Sequence, residues 1–148
     1  MVPPSAVGSP ARIPGSKAFG EASTPSWFEL YTRDYENVVA FYRNVFRWDT
    51  DVVSDTAEFR YTTLKGGDGY LAGIADAIHL PEGVPSHWGV YFGTPDADAT
   101  LKRIGELGGA TVVPAEDTPY GRLATATDPT GAQFKLVAPN EAMPARDS

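Results

Sequence analysis

The sequence predicts an α+β protein made of two copies of one βαβββ unit, paired into an incomplete barrel around a cleft. Three observations lead there. The stretch WFELYTRDYENVVAFYRNVF (27–46) first alternates with the period of a strand and then, after Asp34, places apolar residues at helical spacing. The same change of rhythm returns in WGVYFGTPDADATLKRIGEL (88–107). A turn-and-strand segment, GGDGYLAGI (66–74), is answered by DPTGAQFKL (128–136). An internal repeat whose order and turn positions both agree is a strong architectural signal.

The elements follow in chain order. Strand 26–32 carries the alternation, and in helix 35–46 the apolar residues Val38, Val39, Phe41, Tyr42, Val45 and Phe46 recur at helical spacing. A strand near 50–54 follows, then strands 57–65 and 69–75 joined by the turn Gly66-Gly67-Asp68. The Pro/Gly connector 79–86 ends the first module, at about 18–78. The second module, about 87–138, opens with strand 87–93. Thr94 or Asp96 caps its helix, 97–107, and Gly108-Gly109 stops it. Strands 110–114, 122–128 and 132–138 complete the set, the last two joined by the turn Asp128-Pro129-Thr130-Gly131. A disordered arm is expected over 1–17 and a polar disordered tail over 140–148, leaving one domain at 18–139.

Composition narrows the function. The 148 residues suit one domain and contain no run of about 20 apolar residues, so no membrane span is expected. The Pro- and Gly-rich N-terminus lacks the apolar core of a signal peptide. The absence of Cys removes disulfides, thiolate metal sites and cysteine nucleophiles, and the cytoplasm is the simplest compartment. A net charge of -7 without a basic stripe argues against nucleic acid.

The first strand raises the functional question. Phe28 and Leu30 share one face with the helix-facing core, which leaves Trp27, Glu29 and Tyr31 on the other. A solvated face would not need two aromatic rings and a carboxylate. These three residues are expected to line the cleft.

Asp34 with Ala40-Phe41-Tyr42, Phe46-Arg47-Trp48, Glu106-Leu107-Gly108-Gly109 and Asp128-Pro129-Thr130-Gly131 occur together and in order. In these motifs, from Ser26 to Val137, the chain resembles the vicinal oxygen chelate superfamily, the glyoxalase/bleomycin-resistance/dioxygenase group. The resemblance implies the paired βαβββ fold and a ligand cleft, but no single reaction. It also implies a divalent ion held by His and Glu at four positions, on the first and last strand of each module. Those positions fall here on Trp27, Gly73, Trp88 and Lys135, the second first-strand position being set by aligning tryptophan over tryptophan. Indole offers no lone pair, glycine no side chain, and an ammonium repels a cation, so no metal and no other cofactor are expected. The two histidines, His79 and His87, read as surface residues.

In place of a metal, Trp27, Tyr31, Trp88 and Phe92 are expected to form an aromatic cleft, with Val90 and Gly73 making room. Glu29, Gln133 and Lys135 supply its polar groups, either as a plain ion pair or as ligand-orienting residues, and Glu29 and Lys135 are the catalytic candidates. Tyr120-Gly121-Arg122 is a candidate cleft-edge loop. The leading reading is a metal-independent protein that sequesters a hydrophobic or aromatic natural product, of the antibiotic-resistance type. The alternative is a metal-free isomerase, cyclase or lyase with Glu29 as base, followed by a glyoxalase-like metalloenzyme. The resemblance suggests a homodimer.

Overall fold

The computed structural model describes residues 21–66 and 69–142. The first module comprises β1 (Pro25–Thr32), α1 (Tyr35–Phe46), β2 (Asp49–Asp55), β3 (Arg60–Gly66) and β4 (Gly69–Asp76). A short 3-10 turn, Ala77–His79, leads through the connector into β5 (His87–Gly93). Then come α2 (Ala97–Glu106), β6 (Ala110–Thr118), β7 (Gly121–Thr127) and β8 (Gln133–Ala138). The expected βαβββ order holds in both modules. The arm at 1–17 and residues 143–148 of the expected tail lie outside the described residues, as do Gly67 and Asp68 of the first turn. Asn140, placed in that tail, donates to the Thr118 carbonyl at 3.0 Å and so ties the chain after β8 to the end of β6.

The strands form one open sheet in the order β2-β3-β4-β1-β5-β8-β7-β6. The modules meet at its centre, where β1 and β5 run antiparallel, with Glu29 opposite Gly89 and Tyr31 opposite His87. Within each module the first strand pairs in parallel with the last, β1 with β4 and β5 with β8. Among the described residues β2 and β6 are the sheet edges, so the sheet does not close into a barrel.

Both helices pack on the same face. Under α1 lie Leu30, Leu64, Ala72 and Ile74, with Val38, Val39, Tyr42 and Trp48 packed against them. Leu64 and Ile74 are wholly buried, each contributing roughly 1.5–3 kcal/mol relative to exposure. The α2 side is built from smaller residues, Ala124, Ala126, Leu136 and Ala138. Asp96, one of the two expected caps, is the N-cap of α2 and accepts from the Ala99 N–H at 3.0 Å. Gly108 takes φ +94 just beyond the helix, the left-handed conformation that glycine allows there.

The ladders fix how the modules superpose. Thr63 opposite Gly73 on β3/β4 matches Thr125 opposite Lys135 on β7/β8, and the N-cap Asp34 matches Asp96. Each matched pair is separated by the same number of residues. At that spacing Trp27 corresponds to Gly89 and Glu29 to Tyr91; Trp88 corresponds to Ser26. Aligning tryptophan over tryptophan is therefore wrong by one residue. A one-residue slip in a strand exchanges its two faces.

Candidate functional site

On the face away from the helices, Glu29 stands at the centre of a ring of phenols. Tyr61 donates to its Oε2 at 2.6 Å, Tyr91 donates to its Oε1 at 3.2 Å, and Tyr31 donates to the same Oε1. The Trp27 indole N–H donates to the Tyr61 hydroxyl at 2.9 Å. Lys135 Nζ donates to the Tyr31 hydroxyl and lies 4.1 Å from that ring's centroid and 5.3 Å from the centroid of Tyr91. Four strands contribute: β1 carries Trp27, Glu29 and Tyr31, β3 carries Tyr61, β5 carries Tyr91 and β8 carries Lys135.

Local sequence makes this convergence possible. Tyr61 must cross β4 to reach β1, and β4 presents Gly73 at the crossing. A Cβ built on Gly73 would overlap the Tyr61 hydroxyl and its ring, so glycine is required for that approach. At Gly89 a Cβ would meet a Tyr31 ring carbon at 3.8 Å and the Glu29 carbonyl at 3.7 Å, only ordinary contacts. The aromatic surface extends outward from the cluster. Phe59 stacks on Tyr61 at 5.7 Å, and His87 stacks on Tyr31 at 5.5 Å.

Electrostatics follow from this geometry. Burial, reinforced by the neighbouring Glu29 charge, raises the pKa of Tyr31, Tyr61 and Tyr91 well above the ordinary phenol value. The phenols are therefore held protonated and act as donors. Burial lowers the pKa of Lys135, and attraction to Glu29 opposes that shift without overcoming it. An ionised carboxylate offers about four acceptor positions. Three are filled by tyrosines.

The expected residues divide between the two faces. Trp27, Glu29, Tyr31, Gly73 and Lys135 are brought together. Trp88, Val90 and Phe92 are not: they lie on the helix side of β5. The Trp88 indole donates to the Tyr42 hydroxyl of α1 at 2.9 Å, Phe92 packs edge-on against Phe134, and Val90 is opposite Phe28. The one-residue slip in the repeat alignment accounts for all three. Gln133 is exposed at the start of β8, opposite Thr127, and makes no hydrogen bond to the cluster. Arg122 does not edge a cleft: it pairs with Asp98 of α2 at 2.7 Å and with Asp117 at 3.2 Å. His79 meets the Glu58 carbonyl at 2.6 Å and stays apart. His87, read as a surface residue, is half-buried on the Glu29 face.

Tyr61, Tyr91 and His87 escaped the sequence reading. Tyr91 and His87 were hidden by the slip. The spacing between the two helix-opening aspartates, Asp34 and Asp96, carried the correct register. Tyr61 and Phe59 alternate within AEFRYTTLK, but a strand two places along the sheet does not announce which face it shares with β1.

The divalent ion implied by the resemblance does not fit these residues. In the corrected register the four positions are Trp27, Gly73, Gly89 and Lys135, none of which can ligate a cation. Among the described residues no group of three or more His, Cys, Asp or Glu side chains could hold one. No helix among them is long and apolar enough to cross a membrane.

The family model for the Glyoxalase/Bleomycin resistance protein/Dioxygenase superfamily matches residues 24–136. The chain is 36% identical over 125 residues to the anthracycline biosynthesis protein DnrV of Streptomyces peucetius, covering 76% of this chain and 46% of that protein. It is 36% identical over 126 residues to the putative glyoxylase CFP32 of Mycobacterium tuberculosis, covering 84% of this chain and 48% of that one. The chain thus spans about half the length of the curated relatives it matches. Among solved structures, a Streptomyces coelicolor methylmalonyl-CoA epimerase variant in complex with 2-nitronate-propionyl-CoA shares the fold. It superposes with a TM-score of 0.59 at 19% identity, over 84% of this chain and 100% of that one.

Proposed function

Because the chain belongs to the glyoxalase/bleomycin resistance protein/dioxygenase superfamily, we propose that it is a metal-independent member that binds a planar aromatic natural product on the Glu29 face. The observation that carries this reading is the occupancy of Glu29. A general base needs a free lone pair aimed at the proton it removes, and here phenols take three of the carboxylate's about four acceptor positions. The same contacts lock Tyr31, Tyr61 and Tyr91 into a fixed aromatic floor beside Trp27. Such a surface favours flat rings, at roughly 0.5–1.5 kcal/mol per well-placed ring pair beyond area burial. Two of the Streptomyces relatives are named for anthracycline biosynthesis, which directs the reading towards polycyclic aromatic molecules.

One observation favours the enzyme reading instead. Lys135 donates to the Tyr31 hydroxyl, a pairing able to relay a proton to a bound molecule. A panel of aromatic metabolites screened by tryptophan quenching, with each bound compound recovered and weighed by mass spectrometry, separates the two. Unchanged compound supports binding; a new mass supports catalysis. With a compound in hand, Trp27→Ala should weaken binding by about 1–3 kcal/mol, whereas Trp88→Ala, on the opposite face, should change it by less than about 0.5 kcal/mol. The reverse ranking would move the site to the helix side. Homodimer formation is part of the same proposal, and sedimentation tests it.

A further inference from the structure

Two polar groups beside the Glu29 cluster have unused hydrogen-bonding capacity. The Lys135 ammonium has three N–H donors, of which the Tyr31 hydroxyl takes one. No carboxylate among the described residues lies within ion-pair distance of it. Directly opposite on β7 is Thr125, only 7% exposed, whose hydroxyl makes no hydrogen bond to any described residue. No buried side-chain nitrogen or oxygen among the described residues lacks a partner, so the spare donors of Lys135 and Thr125 reach solvent side by side on one face, an open site that a ligand can fill. What completes it is an oxygen rich in electrons. Neutral apolar rings would leave both groups unpaired.

The rings around Lys135 say what that oxygen is attached to. Its Nζ lies over Tyr31 and near Tyr91, at the border of the aromatic floor. A molecule stacked on the floor would therefore bring the edge of its ring system to the ammonium. We propose that Lys135 and Thr125 seat a phenolate or enolate oxygen carried on the edge of a planar aromatic ligand. This inference rests on the aromatic-binding reading above and adds the substrate class: acidic hydroxyaromatic molecules rather than aromatic hydrocarbons or ethers. The Glu29 charge works against an anion in this cluster, as it does against ionisation of the tyrosines, so the attraction of the Lys135 ammonium has to outweigh it.

Alizarin and its dimethyl ether test the inference, since they share one ring system and only the first has ionisable oxygens. Quenching titrations of the wild-type protein should show alizarin binding about ten-fold tighter. The bound dye should carry the phenolate absorption band at a pH where the free dye is mostly neutral. Lys135→Met should abolish both the preference and the band, and Thr125→Val should reduce the preference about three-fold. Equal affinity for the two dyes, with the bound alizarin spectrum that of the neutral form, overturns the inference and leaves the aromatic reading standing, because both dyes still bind. Failure of both dyes to bind overturns the two together. The spectrum is read on wild-type protein, so the outcome does not depend on the variants folding.

Discussion

The two modules share a backbone plan and differ in what they place on the inner face. In the first, Trp27, Tyr31 and Tyr61 occupy positions whose counterparts in the second are Gly89, Gly93 and Leu123. In exchange the second supplies Tyr91 where the first has Glu29, and Lys135 where the first has Gly73. Neither half alone makes the cluster. The carboxylate comes from one module and its ammonium neighbour from the other, and the Tyr31 hydroxyl bonds to both. A duplicated fold thus yields an asymmetric cluster, and at three of its positions (Trp27, Tyr31 and Lys135) the counterpart in the other copy is glycine.

The inner face depends most on Glu29. Glu29→Leu removes the acceptor for three phenols and leaves Lys135 without its nearby countercharge. Urea unfolding should show a loss of about 2–4 kcal/mol. A loss under about 0.5 kcal/mol would mean that the phenols find other partners and that the carboxylate does not organise the site.

Gly73 and Gly89 each lie near a tyrosine ring, but with unequal room for a side chain. Gly73→Ala puts a methyl group where the Tyr61 hydroxyl lies and should cost about 1–3 kcal/mol, with a shift in Trp27 fluorescence as the indole loses its acceptor. Gly89→Ala meets only ordinary contacts and should stay within about 1 kcal/mol of wild type. Equal effects at the two positions would show that the phenol floor is as tightly packed over the second module as over the first.

The smallest effect is on pH dependence. The folded state raises the pKa of the three phenols, so their protonated form is favoured by folding. Their contribution is fully present below the unfolded phenol value, near 10, and falls as pH rises above it. Melting temperature should therefore decline above pH 10, and Tyr31→Phe should decline less steeply by the share of one proton. Parallel profiles for the two proteins would remove Tyr31 from the coupled group.

Much of the fold was legible because its signals are local. The helix at 35–46 was set by apolar spacing after Asp34, and strand 87–93 was set by the proline-rich connector before it and Thr94-Pro95 after it. Trp27, Glu29 and Tyr31 were legible as a shared face for the same reason: alternation within one strand is local. The composition of the opposite wall was not. Trp88 looked like the partner of Trp27 because the residue types matched, yet the ladder pairs Trp88 with Leu30 on the buried side. Register between strands depends on where distant backbone groups meet, and a similarity of side chains one residue out of step gives every face the wrong sign.

The bond from Lys135 to Tyr31 joins residues 104 positions apart, and that distance has a consequence in time. During synthesis the first module can form its strands well before β8 has been made, but Glu29, Tyr31 and Tyr61 then lack the second module's half of their surroundings. Contacts of such long range place the closing of the inner face late, in the roughly millisecond-to-second regime of proteins dominated by non-local pairing. Until the last strand docks, the chain exposes an unfinished polar and aromatic surface. Among the described strands β8 is thus the last to be made, and with it comes Lys135, the partner of Tyr31.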